Sequence, residues 1–402
     1  MKLKKTRREV IGASVVAGAG VIAGCTGSEE SDDDERSFTA AGLSGENQEW
    51  DQVQPQGHDE LIRRIEEESE GALVGEFIGE SQLCGEETCP ETVQGGVAQI
   101  GYSGLGNSTN TLPQNDIFAI PYTFEENQHL TYTLCHEEIW EEYWVPFAQQ
   151  NGVLPIMFNM PHLKHVLIGT DTSDNSDDPF RVPSDIDGLS MRRTESSAAG
   201  TVFEEWGANP ENVSWGDTAQ GLQSGVVDGQ ETWLAAAFGF GMREPTGEVI
   251  VNSWGGDTIT AWADVDWLQS LEPEELDAVA SATRSITEDQ TNRLRDVHEN
   301  RHGLTLSYEP LDDPPADSVV AESSHIDFRV LDDDEINQWR ESVEGISNME
   351  KYQDIFSAVD NIGVDAEGLY ETIYDIPRSS GTPDTVEDFA VESWWVDYVD
   401  EI

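Results

Sequence analysis

Residues 185–233, DIDGLSMRRTESSAAGTVFEEWGANPENVSWGDTAQGLQSGVVDGQETW, hold the side chains best suited to recognition chemistry. Arg192 and Arg193 are adjacent on a predicted strand over 189–193. A guanidinium stays charged and presents a planar fork that bonds a carboxylate bidentately. Consecutive strand residues face opposite ways, so one arginine of the pair addresses a given site. Trp215 adds an aromatic ring close by in the chain. No Ser/His/Asp constellation accompanies them, so the stretch reads as a binding element rather than a catalytic one. His298 and His302 stand at i, i+4 near a helix end, where polar or cationic residues are favourable; no third metal ligand is evident beside them. His162 and His165 flank Lys164 and read as lining a turn.

These side chains need elements to position them. After the 189–193 strand, Ala198, Ala199, Val202, Phe203 and Trp206 recur at helical spacing. Gly207-Ala208-Asn209-Pro210 stops that helix. A strand is expected over 213–215, Asp217 is placed to N-cap a helix to Ser224, and Gly225 ends it. Residues 226–231 continue as a buried strand or turn. This alternation is that of an α/β protein. Upstream, strands are expected over 38–43, 72–78 and 97–102, the last ending at Tyr102 and Ser103. A glycine-containing loop follows at 42–47, helices are expected over 50–70 and 130–149, and a strand over 153–159. Residues 171–183 read as an acidic, disorder-prone insertion. Downstream, 248–253 and 258–265 read as two strands and 272–300 as one long helix, which at about 1.5 Å per residue could cross a domain pair. Further helices and a Pro/acid-rich tail bearing Trp394-Trp395 occupy 333–402.

The chain has 402 residues and a formal net charge of −59, enough length for two lobes. Beyond residue 24 its only lysines are Lys164 and Lys351. A charge of this size usually marks disorder, but apolar periodic segments and 12 Trp argue for a folded, carboxylate-covered protein. Such a surface suits molar salt, where screening acts within about 3 Å, and points to a halophilic source. It excludes nucleic acid as a partner. Residues 1–25 are an export segment: Arg7-Arg8 forms a twin-arginine signature, the apolar run after it is too short to span a membrane, and Ile22-Ala23-Gly24-Cys25 matches a lipobox whose Cys25 accepts lipid. Residues 26–37 are then an acidic tether. Cys84 and Cys89 lie in a loop of an exported chain and could close a disulfide, leaving Cys135 in an apolar helix.

Several segments resemble the extracytoplasmic solute receptors of TRAP transporters, the DctP-like family, in a haloarchaeal-type lipoprotein. Gly188-Leu189-Ser190-Met191-Arg192 is similar to that family's G-L-K-I-R strand, Gly207-Ala208-Asn209-Pro210 to its G-A-N-P turn, and residues 221–231 (GLQSGVVDGQE) to its A-L-Q-T-G-V-V-D-G-Q-E. Ser81-Gln82-Leu83, Pro121-Tyr122 and the Trp267 to Leu271 segment match in order and spacing, so the resemblance covers roughly 38–330. It implies an α/β, two-lobed periplasmic-binding-protein-like fold with a central cleft, crossing strands and a long lobe-spanning helix. Lobe I would be 38–161 with 257–288, and lobe II 162–256 with 289–332.

In that family the arginine matching Arg192 grips a substrate carboxylate, which makes Arg193 the bystander. Lys164 would replace a second arginine, Trp215 would pack on the ligand, Tyr102 and Ser103 would face it, and Trp254 would form a wall. Thr232 falls where the family has Asn, and Trp233 where it has Pro, so ligand identity is expected to diverge here. The implied function is capture of a small organic anion for TRAP permease subunits, with the chain held to the membrane by lipid on Cys25, and with no cofactor, metal or catalysis. An ABC-type binding protein and a sensing lipoprotein are the alternative functions; an exported enzyme finds no constellation to support it.

Overall fold

Two long strands link everything else. Among the residues that the computed structural model describes (35–43, 58–379, 381–383 and 385–402), the strands are β1 (Arg36–Ala41), β2 (Leu73–Ile78), β3 (Ile100–Gly104), β4 (Val153–Gly169), β5 (Ser190–Arg193), β6 (Asn209–Asn212), β7 (Gly229–Thr232), β8 (Thr246–Asp264) and β9 (Asp327–Val330). They form one sheet in the order β2-β1-β3-β8-β4-β7-β5-β6, with β9 on β8. β4 and β8 are antiparallel partners along almost their whole length. One end of the pair carries β3, through Ile100↔Ala263 to Gly104↔Ile259. The other end carries β7 on β4, through His165↔Thr232, and β9 on β8. The sheet therefore has two halves that share β4 and β8 as crossing strands. Between the halves the ladder slips, from Asn159↔Ile259 to His162↔Asp257 and again between Lys164 and Val166. Such bulges re-aim side chains and bend strands.

The expected strand 153–159 therefore continues without a break to Gly169, and the expected strands 248–253 and 258–265 are one strand, β8. His162, Lys164 and His165 on one strand, and Asn252, Ser253, Asp257 and Thr258 on the other, interrupt the apolar pattern without ending the strands, because the pairing resumes beyond each bulge. The strand expected at 213–215 lies earlier, at β6, and Trp215–Asp217 is a 3₁₀ turn. Asp217 makes no side-chain cap to the helix Thr218–Ser224, since its carboxylate takes the Ser214 hydroxyl instead at 2.7 Å. Gly229 starts β7 where only a glycine fits: a Cβ there would stand 2.5 Å from the Leu167 carbonyl oxygen and 2.7 Å from Met191.

The helix Ser197–Glu205 buries Ala198, Ala199, Val202 and Phe203, as their spacing predicts. Its first turn is held twice. Ser196 Oγ accepts from Ala199 N–H at 3.1 Å, and Asp116 Oδ2 accepts from Ser197 N–H at 2.6 Å and Ala198 N–H at 3.1 Å. A carboxylate suits the positive end of a helix.

The long helix is shorter than expected. It runs Pro273–Asn292, pauses at Arg293, and continues as the wide turn Val297–His302. Asp289 binds Arg64 at 2.8 Å, which ties it to the helix His58–Glu68. The expected 130–149 helix is also interrupted, because the first helix stops at Leu134 and His136 caps a new start at Glu137.

The acidic 171–183 insertion is ordered. Phe180 is buried, Arg181 pairs with Glu335, and Trp339 Nε1 donates to the Arg181 carbonyl at 2.8 Å. The C-terminal tail docks on the first half-sheet's layer: Trp394 and Trp395 both donate to Thr283 Oγ1 at 3.1 Å, and Tyr398 stacks on Trp140. The export segment with Cys25, the tether up to residue 34, the glycine loop from residue 44 and positions 50–57 of the first helix lie outside the described residues. β1 begins inside the expected tether, at Arg36.

Candidate functional site

The bulge that divides the two half-sheets also opens a small cavity. It is lined by residues from both halves, among them Glu86, Gly104, Asn107, Lys164, Trp215 and Asp257. Thr194, Thr232, Trp233 and Phe240 complete much of its wall. Space where a water centre fits amounts to about 30 Å³, enough for one or two waters.

Lys164 is the cation on this wall. It is buried, with Nζ 2.9 Å from Asp257 Oδ2 and 3.2 Å from Glu231 Oε2. The distances are those of ion pairs, but Nζ meets neither oxygen at hydrogen-bonding angles. Burial pulls its pKa down, and the two carboxylates more than reverse this, so the ammonium is held above its ordinary value. The carboxylates are themselves fixed by backbone. Asp257 accepts from Gly106 N–H at 3.1 Å, and Glu231 from Thr194 N–H at 2.7 Å.

Arg192 stands one layer back. Its guanidinium carbon lies 5.3 Å from the centre of the Trp215 ring, Nε donates to the Val213 carbonyl at 3.0 Å, and Nη1 lies 3.8 Å from Glu231 without a hydrogen bond. Burial lowers its pKa against the pull of Glu231, Glu87, Glu195 and Asp257; arginine remains charged in proteins all the same. Glu86 accepts the Gly104 N–H at 2.6 Å. Its burial, aided by Glu87 and Asp257, pushes its pKa up to about 7.

Of the residues singled out from sequence, the fold brings Lys164, Trp215 and Thr232 to the cavity. Arg192 reaches it only through Trp215. Tyr102 instead packs edge-on against Phe77, and Ser103 accepts from Trp262 Nε1 at 2.9 Å in the core. The reason is length, since β3 extends to Gly104 and its last residue meets the cavity. Trp254 lies 5.8 Å from Lys164 Nζ, outside the lining, and packs on Trp206. Cys84 and Cys89 form a disulfide, and Cys135 is a buried thiol. Glu86 and Asp257 carried no distinguishing signal in a sequence with 80 acidic residues.

A second polar cluster lies near by on β4. His162 and His165 do not line a turn, and His298 and His302 are not cations at a helix end. All four are buried, with His162 and His298 stacked 5.5 Å apart and His302 5.6 Å from His298. Tyr308 Oη donates to Asn127 Oδ1 at 2.6 Å and covers His165 and His298. Burial pushes His298 down to about 4, His165 and His302 to about 3, and His162 well below its ordinary value. Among the described residues no group of His, Cys, Asp or Glu is arranged to hold a metal ion. A larger open groove of about 400 Å³ lies beside this cluster, lined by Glu125, Glu126, Arg295 and Tyr308 among others. Its cation, Arg295, is exposed and pairs with Glu387 and Glu299, and Glu125 and Glu126 stand on the same wall.

The same architecture occurs in known proteins. The structure superposes on that of the periplasmic ectoine-binding protein from the TeaABC TRAP transporter of Halomonas elongata with a TM-score of 0.67, at 18% identity, over 85% of this chain and 99% of that one. In sequence the chain is 24% identical to the ectoine-binding periplasmic protein TeaA of Halomonas elongata over 267 residues, 66% of this chain and 70% of TeaA. It is 27% identical to the C4-dicarboxylate-binding periplasmic protein DctP of Vibrio cholerae over 177 residues, 43% of this chain and about half (49%) of that protein. Residues 45–303 match the family described as bacterial extracellular solute-binding protein, family 7. With well over half its length inside that match, the chain belongs to the DctP family of extracellular solute-binding proteins.

Proposed function

We propose that the protein captures a small organic acid in the cavity between its half-sheets and delivers it to the membrane subunits of a TRAP permease. The observation that carries this is the pair of buried cations, Lys164 at the bulge of the crossing strands and Arg192 on β5 behind Trp215, both beside Glu231. Burying a charge is costly unless it has work or partners, and Arg192 Nη1 has no hydrogen-bond acceptor among the described residues. A ligand carboxylate would supply one in a site where charges are weakly screened. The relatives named for ectoine and for C4-dicarboxylates are receptors for small carboxylates.

In this reading the halves move as lobes, 38–161 with 257–288 and 162–256 with 289–332, hinged at the 159–162 bulge, and they part to admit the acid, since the cavity as it stands has room for only one or two waters. Residues 1–25 export the chain by the twin-arginine route, Cys25 carries the lipid anchor on the outer face of the membrane, and the acidic surface suits a halophilic cell. A thermal-shift screen of organic acids in molar salt tests the function, since a ligand at 100 times its Kd adds about 2.7 kcal/mol. Arg192→Lys keeps the charge but loses the fork, and it should weaken the captured acid by about tenfold to a hundredfold. An unchanged Kd by calorimetry removes Arg192 from the site.

A further inference from the structure

Charge does not balance around the cavity. Lys164 is flanked by Asp257 and Glu231, and Arg192 has Glu231 as its nearest carboxylate. The two cations are therefore matched before Glu86 is counted. Glu86 lines the cavity, is buried, and makes no ion pair among the described residues; its fixed partner is the Gly104 N–H. Asn107 turns its amide nitrogen toward Glu86, and its Oδ1, also buried on the cavity wall, has no partner among the described residues. A buried acceptor without a donor is costly, and here Asn107 Oδ1 is one, beside a buried carboxylate that no cation pairs among the described residues. Opposite charges are not the only attraction on offer, because Trp215, Trp233 and Phe240 present aromatic rings to the same space, and a cation over such a ring is stabilised. A ligand bearing only carboxylates would meet Lys164 but would also face Glu86 and the Asn107 carbonyl with nothing to donate.

We propose, building on the receptor function above, that the cavity selects a zwitterion, an organic acid that also carries a cationic nitrogen, and that Glu86 with Asn107 Oδ1 receives that nitrogen while Lys164 addresses the carboxylate. Glu86 is then the specificity-determining residue of the site. Burial pushes its pKa up, and a bound cation would bring the carboxyl back to its ionised form. The other charged groups facing it are Glu87, Asp257 and, across the cavity, Lys164.

The full chain, in molar NaCl, is incubated with an equimolar pool of ectoine, glycine betaine, 4-aminobutanoate, succinate, glucuronate and pyruvate, and the retained acids are identified by mass after release. Enrichment of one or more of the nitrogen cations supports the assignment. Enrichment of succinate, glucuronate or pyruvate instead overturns it and leaves the receptor function standing. If none is retained, both the zwitterion assignment and the site on which it rests fail. For a retained zwitterion, Glu86→Gln should weaken binding by about 30-fold or more. Its affinity in the unmodified chain should rise with pH through about 7, and that rise should vanish in Glu86→Gln. A flat profile in the unmodified chain, or an affinity that rises as pH falls, removes Glu86 from cation recognition.

Discussion

Two buried polar clusters share one short piece of β4, and burial has opposite consequences in them. At Lys164 the buried group keeps its charge, because Asp257 and Glu231 stand within 3.2 Å. At His162 and His165 the buried groups face other histidines, and burial strips their charge. The difference lies in the neighbours rather than in depth, since all these side chains are buried alike. The charged cluster borders a cavity. The neutral cluster is packed by rings, with Tyr308 and Asn127 tying its backbone at Leu163. Both leave buried polar atoms without partners among the described residues, but only the first keeps its cations.

The largest effect expected from this contrast is in acid. Unfolded histidines take up protons below about pH 6.5, whereas His298, His165 and His302 do so only near pH 4 or 3. Through that window the unfolded chain binds more protons, so stability falls as pH falls from about 6.5 toward 4. Denaturant unfolding across this range at constant salt should show it, and His302→Gln should flatten the slope by about one proton. An unchanged slope would mean that His302 is charged or exposed.

Next is Lys164→Met, which leaves Asp257 and Glu231 without their cation and should cost about 3–5 kcal/mol. If it costs no more than His302→Gln at pH 8, the two clusters do not differ as described. Smaller still is Glu86→Gln in the absence of ligand. A carboxyl whose folded pKa is raised to about 7 loses its stabilising contribution as pH rises through that value, so the variant should be more stable than the parent by about 1–3 kcal/mol at pH 8 and equal to it near pH 4. The least effect on stability belongs to Thr232→Asn, which should change the preferred acid. An identical ligand profile would place Thr232 outside the contacts that choose it.

Much of the scaffold was legible in the chain. The glycine and arginine of 188–192, the 207–210 turn and the apolar spacing of 198–206 mark β5 and the helix after it, because local sequence alone positions them. The crossing strands were not legible as continuous, since polar residues at the bulges break the alternation that marks a strand. The histidine cluster escaped for a different reason. Its two pairs are far apart in sequence, and each pair alone looks like a turn or a helix end. Glu86 and Asp257 were hidden by the composition itself, because a single carboxylate among 80 acidic residues has no signature until the fold buries it. Arg192 was found from its strand motif, but its seat behind Trp215 depends on how β5 and the Trp215 turn pack, which no spacing encodes.

The most direct test of the site is a crystal structure of the full chain with a captured acid bound. The account predicts its carboxylate within about 3 Å of Lys164 Nζ or an Arg192 Nη atom, inside the cavity beside Trp215 and Thr232. A carboxylate found in the open groove beside Arg295 and Tyr308, with Lys164 still held between Asp257 and Glu231, would contradict it.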